Sequence, residues 1–231
     1  MQAACARSSR DPASVTLICV TKTIPASTIQ EVLSLGVTDL GENRVQEARE
    51  KHHALAAAHP APRWHLIGSL QRNKAAAAVE LFDVIHSVDS LPLIEELERQ
   101  AAKHTSGFRL QAASRRREGP VKVLIQVNIS GELTKSGCKP EEAAILVRAV
   151  LQAQHLRFSG YMTIPPIAED PEASRPFFRQ LRQLRDQVAH SCSLQPVACS
   201  LSMGMSQDFE IAIEEGADLV RVGTAIFGSR T

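Results

Sequence analysis

Net charge is almost absent from this chain. Its 231 residues carry 26 Lys and Arg against 25 Asp and Glu, a formal balance of +1. That balance removes the electrostatic case for a nucleic-acid or membrane-surface protein. Paired cysteine spacing is also missing. The five cysteines, Cys5, Cys19, Cys138, Cys192 and Cys199, are odd in number and form no CxxC, which argues against a disulfide framework and a zinc site. Reduced thiols in a cytoplasmic protein are the simplest expectation. No apolar run approaches the ~18 residues of a membrane span. The leader MQAACARSSRDPAS has no apolar centre, so it does not read as a secretory signal, and its Arg and Ser leave a transit peptide as the weaker alternative. Internal repeats are lacking too. No glycine-rich GxGxxG turn follows the first apolar run, which weighs against an open dinucleotide-binding sheet.

What is present is an alternation. Hydrophobic residues make up 44% and charged residues 22% of the chain, ordinary values for a globular domain. Short β-branched runs alternate with longer helical patterns, as in repeated βαβ units. Eight strands are expected: 15–20, 38–40, 63–67, 83–86, 121–127, 156–160, 198–201 and 219–222. Between them fall helices at 26–35, 42–58, 71–81, 91–103, 140–154, 172–189 and 206–215. Seven helices between eight strands is the arithmetic of an α/β fold of the single-domain (β/α)₈ TIM-barrel type. Residues 1–14 read as a leader with little length to supply a helix under the barrel, and 15–231 as the barrel itself. Ser106–Gly119, with Arg115, Arg116 and Arg117, lacks periodicity and reads as a solvated loop rather than an RNA or lipid contact.

In a TIM barrel the site lies where the strands end. No carboxylate pair or His/Cys cluster collects there to make a metal site. Ser202 and Gly204 follow strand seven, while Gly223 and Thr224 follow strand eight. Small residues in those two loops let backbone N–H groups approach an anion; ordinary turn and capping chemistry explains either loop alone. Lys22 follows strand one, where an amine could form a Schiff base with a carbonyl ligand, although most such lysines are solvated. Arg221, at the end of strand eight, could clamp a phosphate, hold an ion pair, or donate to a ring nitrogen. His65, within WHLIG, divides evenly between a satisfied core histidine and a ligand contact. Asn43 suits a helix cap as well as a pocket wall. Tyr161 is the only tyrosine, and it either reaches the site or packs on strand six.

The runs VTKT, LGENRVQE, WHLIGSLQRNK, HSVDS, LIQVNIS, GYMTI and SMGMSQDFEIAIEEGADLVRVGTAIFG, in this order, resemble the pyridoxal phosphate homeostasis protein family from about Val15 onward. The resemblance implies a barrel like the N-terminal domain of alanine racemase, without a second domain. It implies pyridoxal 5′-phosphate as cofactor, bound as a reversible Schiff base on Lys22. By the same resemblance Ser202, Gly204, Gly223 and Thr224 hold the phosphate, Arg221 faces the pyridine nitrogen, and Asn43 and His65 line the pocket. The implied role is intracellular cofactor homeostasis without catalytic turnover, with apo forms of pyridoxal-phosphate enzymes as recipients. The alternative is a small amino-acid racemase, in which Tyr161 would have to supply the second acid/base group. With no second domain to make the racemase dimer contact, a monomer is expected.

Overall fold

Eight parallel strands close on themselves in chain order, β1 to β8, with β8 pairing back to β1. This is a computed structural model, and it describes residues 1–58, 60–105 and 119–228. The strands are β1 (Thr16–Val20), β2 (Asp39–Glu42), β3 (Arg63–Leu66), β4 (Val84–Val88), β5 (Val121–Gln126), β6 (Leu156–Met162), β7 (Ser200–Ser202) and β8 (Leu219–Val222). The helices are α1 (Gln2–Arg7), α2 (Ala26–Ser34), α3 (Val45–Ala54), α4 (Ala75–Leu81), α5 (Leu91–Thr105), α6 (Ala143–Gln152), α7 (Arg175–Ser191), α8 (Phe209–Glu214) and the single turn α9 (Thr224–Phe227). The expected TIM barrel is the observed fold. Apart from Gly119, the Ser106–Gly119 loop lies outside the described residues.

Two expectations change. The leader does supply a helix: α1 packs on α8, burying Ala4 and Cys5. Arg7 pairs with Glu210 and Glu214, and Arg10 donates to the carbonyls of Ile213 and Ala217 and to Asp218. Ile213 lies in the last turn of α8 and Ala217 in the turn that follows, so Arg10 ties the end of that helix to the leader. The second change is β2, which runs to Glu42 instead of stopping at Leu40. Its register with both neighbours, Val20 opposite Gly41 and Glu42 opposite Leu66, continues past the apolar residues. Helix α3 accordingly starts at Val45, and Asn43 is not its cap.

Most of the core lies between barrel and helices. Along each strand alternate side chains point inward, and the inside is divided by polarity. Val84, Leu124, Met162 and Leu219 form a small apolar layer. Asp39, His65, His86, Ser202 and Arg221, all buried, form a polar one.

Candidate functional site

A cavity of about 340 Å³ opens at the C-terminal ends of the strands. Lys22, Asn43, Arg221, Gly223 and Thr224, all singled out from the sequence, line it, together with apolar Val20, Ile67 and Ile164. Ser206 and Gln207 complete its wall. His65, Ser202 and Gly204 do not line it.

The Lys22 loop is held from behind. Thr23, the residue after Lys22, has φ of 63°, unusual for a β-branched side chain. Its N–H donates to Glu47. Lys51, buried, donates to the Thr21 carbonyl at 2.5 Å, to Glu42 Oε1 at 2.8 Å and to Glu47 Oε1 at 2.6 Å. Thr21 Oγ1 donates to Glu42 at 2.6 Å. Burial raises the Glu42 pKa despite these bonds from Lys51 and Thr21. A buried carboxylate and ammonium are tolerable only as such a bonded pair. Here the pair locks the backbone that carries Lys22.

The opposite wall is built by the loops after β7 and β8. Gly204 has φ of 92°, and a Cβ there would meet the Cβ of Ala212 at 2.5 Å. Its carbonyl accepts the Arg221 N–H. Gly204 therefore serves the close approach of this loop to α8. Asp208 accepts from the Met205 N–H at 2.7 Å and from Ser174 Oγ at 2.9 Å, which fixes the turn. Ser206 Oγ accepts from the N–H groups of Gly223 at 3.2 Å and Ala225 at 3.3 Å. Among the described residues, the N–H groups of Ser206, Gln207 and Thr224 have no hydrogen-bond acceptor. Three open donors beside two hydroxyls suit an anionic oxygen cluster.

Arg221 reaches the cavity from below. It is 4% exposed. Its Nη1 donates to Ser202 Oγ at 2.7 Å, and Nη2 donates to the Thr163 carbonyl at 2.8 Å. Burial lowers its pKa to about 10, with Asp208 opposing, so the guanidinium remains charged at neutral pH. Ser202 Oγ is 3.0 Å from His86 Nδ1, His86 Nε2 is 2.9 Å from His65 Nδ1, and His65 Nε2 is 2.8 Å from Asp39 Oδ1. One assignment of protons satisfies every pair: each group donates to the next, from Arg221 through Ser202, His86 and His65 to Asp39. Burial holds His65 below its ordinary value, against the pull of Asp39, and holds His86 well below. Both imidazoles are thus neutral. Burial alone would raise the Asp39 carboxyl, but the bonds from His65 and Thr38 outweigh it and lower the pKa. A cation at the mouth and an anion deep in the barrel are joined by neutral dipoles aligned between them.

Tyr161 lies outside the barrel. It is 0% exposed, meets Phe158 edge to face at 5.3 Å, and its hydroxyl has no hydrogen-bond partner among the described residues. Gly160 and Met162, its neighbours on β6, take the inward positions.

Residues 4–231 match the family described as "Alanine racemase, N-terminal domain". The pyridoxal phosphate homeostasis protein of Aquifex aeolicus (strain VF5) is 40% identical over 230 residues, covering 100% of this chain and 93% of that protein. The chain belongs to the pyridoxal phosphate homeostasis protein family. The homeostasis protein of Escherichia coli (strain K12) is 38% identical over 231 residues, covering 100% of this chain and 92% of that one. Among solved structures, PipY of Synechococcus elongatus PCC7942 with PLP bound superposes with a TM-score of 0.81 at 36% identity, covering 98% of each chain. An alanine racemase of Clostridium difficile 630 shares the fold at 14% identity, with a TM-score of 0.70 over 94% of this chain and 56% of its own.

Within this homeostasis-family barrel the sequence reasoning missed Ser206 and Gln207 as cavity walls, and missed Asp39, His86, Glu42 and Lys51 altogether. One signal was available. Positions 63 and 65 of β3 and 84 and 86 of β4 share the inward face, and a histidine there has to find a buried partner.

Proposed function

We propose that this chain holds pyridoxal 5′-phosphate at the barrel mouth through Lys22, as part of intracellular cofactor homeostasis and without catalytic turnover. The carrying observation is that Lys22, the buried Arg221 and three open backbone N–H groups face one cavity of about 340 Å³. The homeostasis proteins at about 40% identity and the PLP-bound PipY support the same reading. When bound, the cofactor supplies an aldehyde that a lysine amine holds reversibly and another amine can displace.

The chain's own residues divide the work. Lys22 Nζ would hold the aldehyde. The N–H groups of Ser206, Gln207 and Thr224 and the hydroxyls of Ser206 and Thr224 bind the phosphate, with Gly223 keeping the loop close. Val20, Ile67 and Ile164 would exclude water from the bound group, and Asn43 would form part of its wall. Arg221 would offer a ring nitrogen a hydrogen bond but no proton, which would make the ring a weaker electron sink. Ser202 and His65, assigned to the phosphate loop and the wall by resemblance, act instead by orienting Arg221. Gly204 acts by shaping the turn.

Racemisation needs an acid/base group on each face of the reacting carbon. The titratable side chains lining the cavity are Lys22, Asp208 and Arg221. Asp208 is occupied in its turn, Arg221 stays charged, and Tyr161 is sealed outside the barrel. Among the described residues Lys22 therefore has no opposing partner there. The free state of all five cysteines suits a cytoplasmic location. No helix among the described residues is long and apolar enough to cross a membrane. We further infer that the working unit includes α1 as well as residues 15–231, that it is a monomer, and that apo enzymes requiring pyridoxal phosphate receive the cofactor.

The test is the visible absorption spectrum of the purified protein beside a Lys22→Ala variant. A yellow band in the wild type that is absent from the variant supports the reading. A colourless wild type that takes up no added pyridoxal phosphate overturns it. Amino-acid racemase turnover by the loaded wild type would overturn the non-catalytic part alone, and size-exclusion chromatography checks the monomer.

A further inference from the structure

At the opposite end of the barrel, where the strands begin, lies a second cavity of about 220 Å³. Arg63, Lys122 and Arg157 surround it, Ser159 and Ser200 bring hydroxyls, and among the described residues no Asp or Glu lines it. His65 forms part of its inner end.

The placement of the cations is costly. Lys122 and Arg157 are directly opposite each other in the parallel register of β5 and β6, and like charges so placed destabilise a sheet. Among the described residues neither side chain has a hydrogen bond or ion pair. Arg63 reaches Asp39 at 3.3 Å, but the same oxygen, Oδ1, already takes the His65 hydrogen bond. With 25 acidic residues against 26 basic ones, carboxylates are not scarce in this chain. Three strands nevertheless deliver cations to one concavity in whose wall, among the described residues, no acidic residue stands. A purely structural arrangement would pair them.

We propose that this floor cavity is a binding site for a phosphate group, free or carried on a small ester, bridged by Lys122 and Arg157 with Arg63 at its edge. A dianion between Lys122 and Arg157 turns their repulsion into two charge-assisted contacts, and the guanidinium fork matches phosphate oxygens two at a time. Ser200 supplies a hydroxyl donor, while the Ser159 hydroxyl donates to the Arg157 carbonyl. Val84, Leu124 and Leu219 give the cavity an apolar base that would meet the stem of an ester. Occupation places negative charge beside His65, the inner part of the chain of hydrogen bonds that ends at Arg221. The site is separate from the mouth and does not depend on what the mouth binds.

Inorganic phosphate and glycerol phosphate, titrated into the full chain at low ionic strength, test it, with the thermal midpoint and the phosphorus NMR line as readouts. The comparison is between wild type, a Thr224→Val variant of the mouth, and a Lys122→Gln/Arg157→Gln variant of the floor. The wild type and the mouth variant should both retain a phosphate-dependent rise in midpoint. The floor variant should bind at least about tenfold more weakly through this site, yet melt higher than wild type when phosphate is absent. Equal responses to the two probes mean that the phosphate group alone is recognised, and a larger response to the ester means that the apolar base contributes. The proposal is overturned if the floor variant responds as the wild type does, or if the mouth variant alone abolishes the response. Should the double variant not fold, Arg157→Gln alone decides by the same comparison.

Discussion

Arg221 at the mouth and Arg157 at the floor both stand on inward-facing strands of one barrel, and their settings are opposite. Arg221 is buried, donates to Ser202 and to the Thr163 carbonyl, and closes a hydrogen-bonded series that reaches Asp39. Arg157 is exposed beside Lys122, with no side-chain partner among the described residues. A buried charge must be matched by bonds built into the fold, because desolvation leaves no alternative. An exposed charge can remain unmatched, because water screens it. Polar substitutions at the mouth should therefore be expensive for stability, and those at the floor slight or even favourable.

The sharpest way to break that contrast is Lys51→Met. It strips the buried Glu42 of its cation, and loss of one partner from a buried pair costs about 3–5 kcal/mol. Urea denaturation should show that loss. Retained stability would mean that Glu42 takes up a proton at little penalty, and that the Lys22 loop does not rest on this pair. Next comes Ser202→Ala, which leaves Arg221 and His86 each short of a bond. Removal of a bond to a charged group costs about 1.5–3 kcal/mol. Pyridoxal phosphate affinity should fall along with the thermal midpoint, whereas a merely structural serine would lower the midpoint only.

The pH dependence of stability follows. The ordinary histidine value is 6.5, and burial lowers both His65 and His86 in the folded state. Below 6.5 the unfolded chain therefore binds more protons than the folded one. Stability from these groups is present above that value and is lost as pH falls toward their folded values, by up to about 1.4 kcal/mol per pH unit for each histidine. Glu42 opposes the trend, because its raised pKa makes the folded state take up a proton first, but it is one group against two. Thermal midpoints should fall between about pH 7 and about pH 5, and a His86→Gln variant should show a shallower fall. A flat profile in the wild type would contradict neutral, buried histidines. The smallest effect belongs to the floor. Arg157→Gln should stabilise the protein by about 0.2–1 kcal/mol at low ionic strength, and the gain should shrink as salt is added.

Much of this was legible in residue order. The barrel followed from eight short apolar runs separated by helical patterns, since a parallel strand buried on both faces needs a continuous apolar run. Lys22, Arg221, Gly223 and Thr224 were found because loops at strand ends form the mouth of such a barrel. Where the apolar signal stopped, so did the reading. Glu42 looked like the first residue of a helix, because nothing near it in sequence reveals that Lys51 would meet it inside the fold. The leader looked too short to supply a helix, yet α8 supplies the surface that α1 covers.

The sequence by itself determined the strand count, the end at which the site lies, and the residues that reach it from the chain segments just beyond each strand, because those depend on local pattern and chain order. Only the tertiary structure decided that Ser202 and His65 stand in the hydrogen-bonded series behind Arg221 rather than in the cavity wall, that Tyr161 faces the helices, and that Lys122 and Arg157 stand side by side. Each of those outcomes depends on register between strands far apart in the chain. Register is fixed by the closure of the whole barrel, a constraint that no single segment carries.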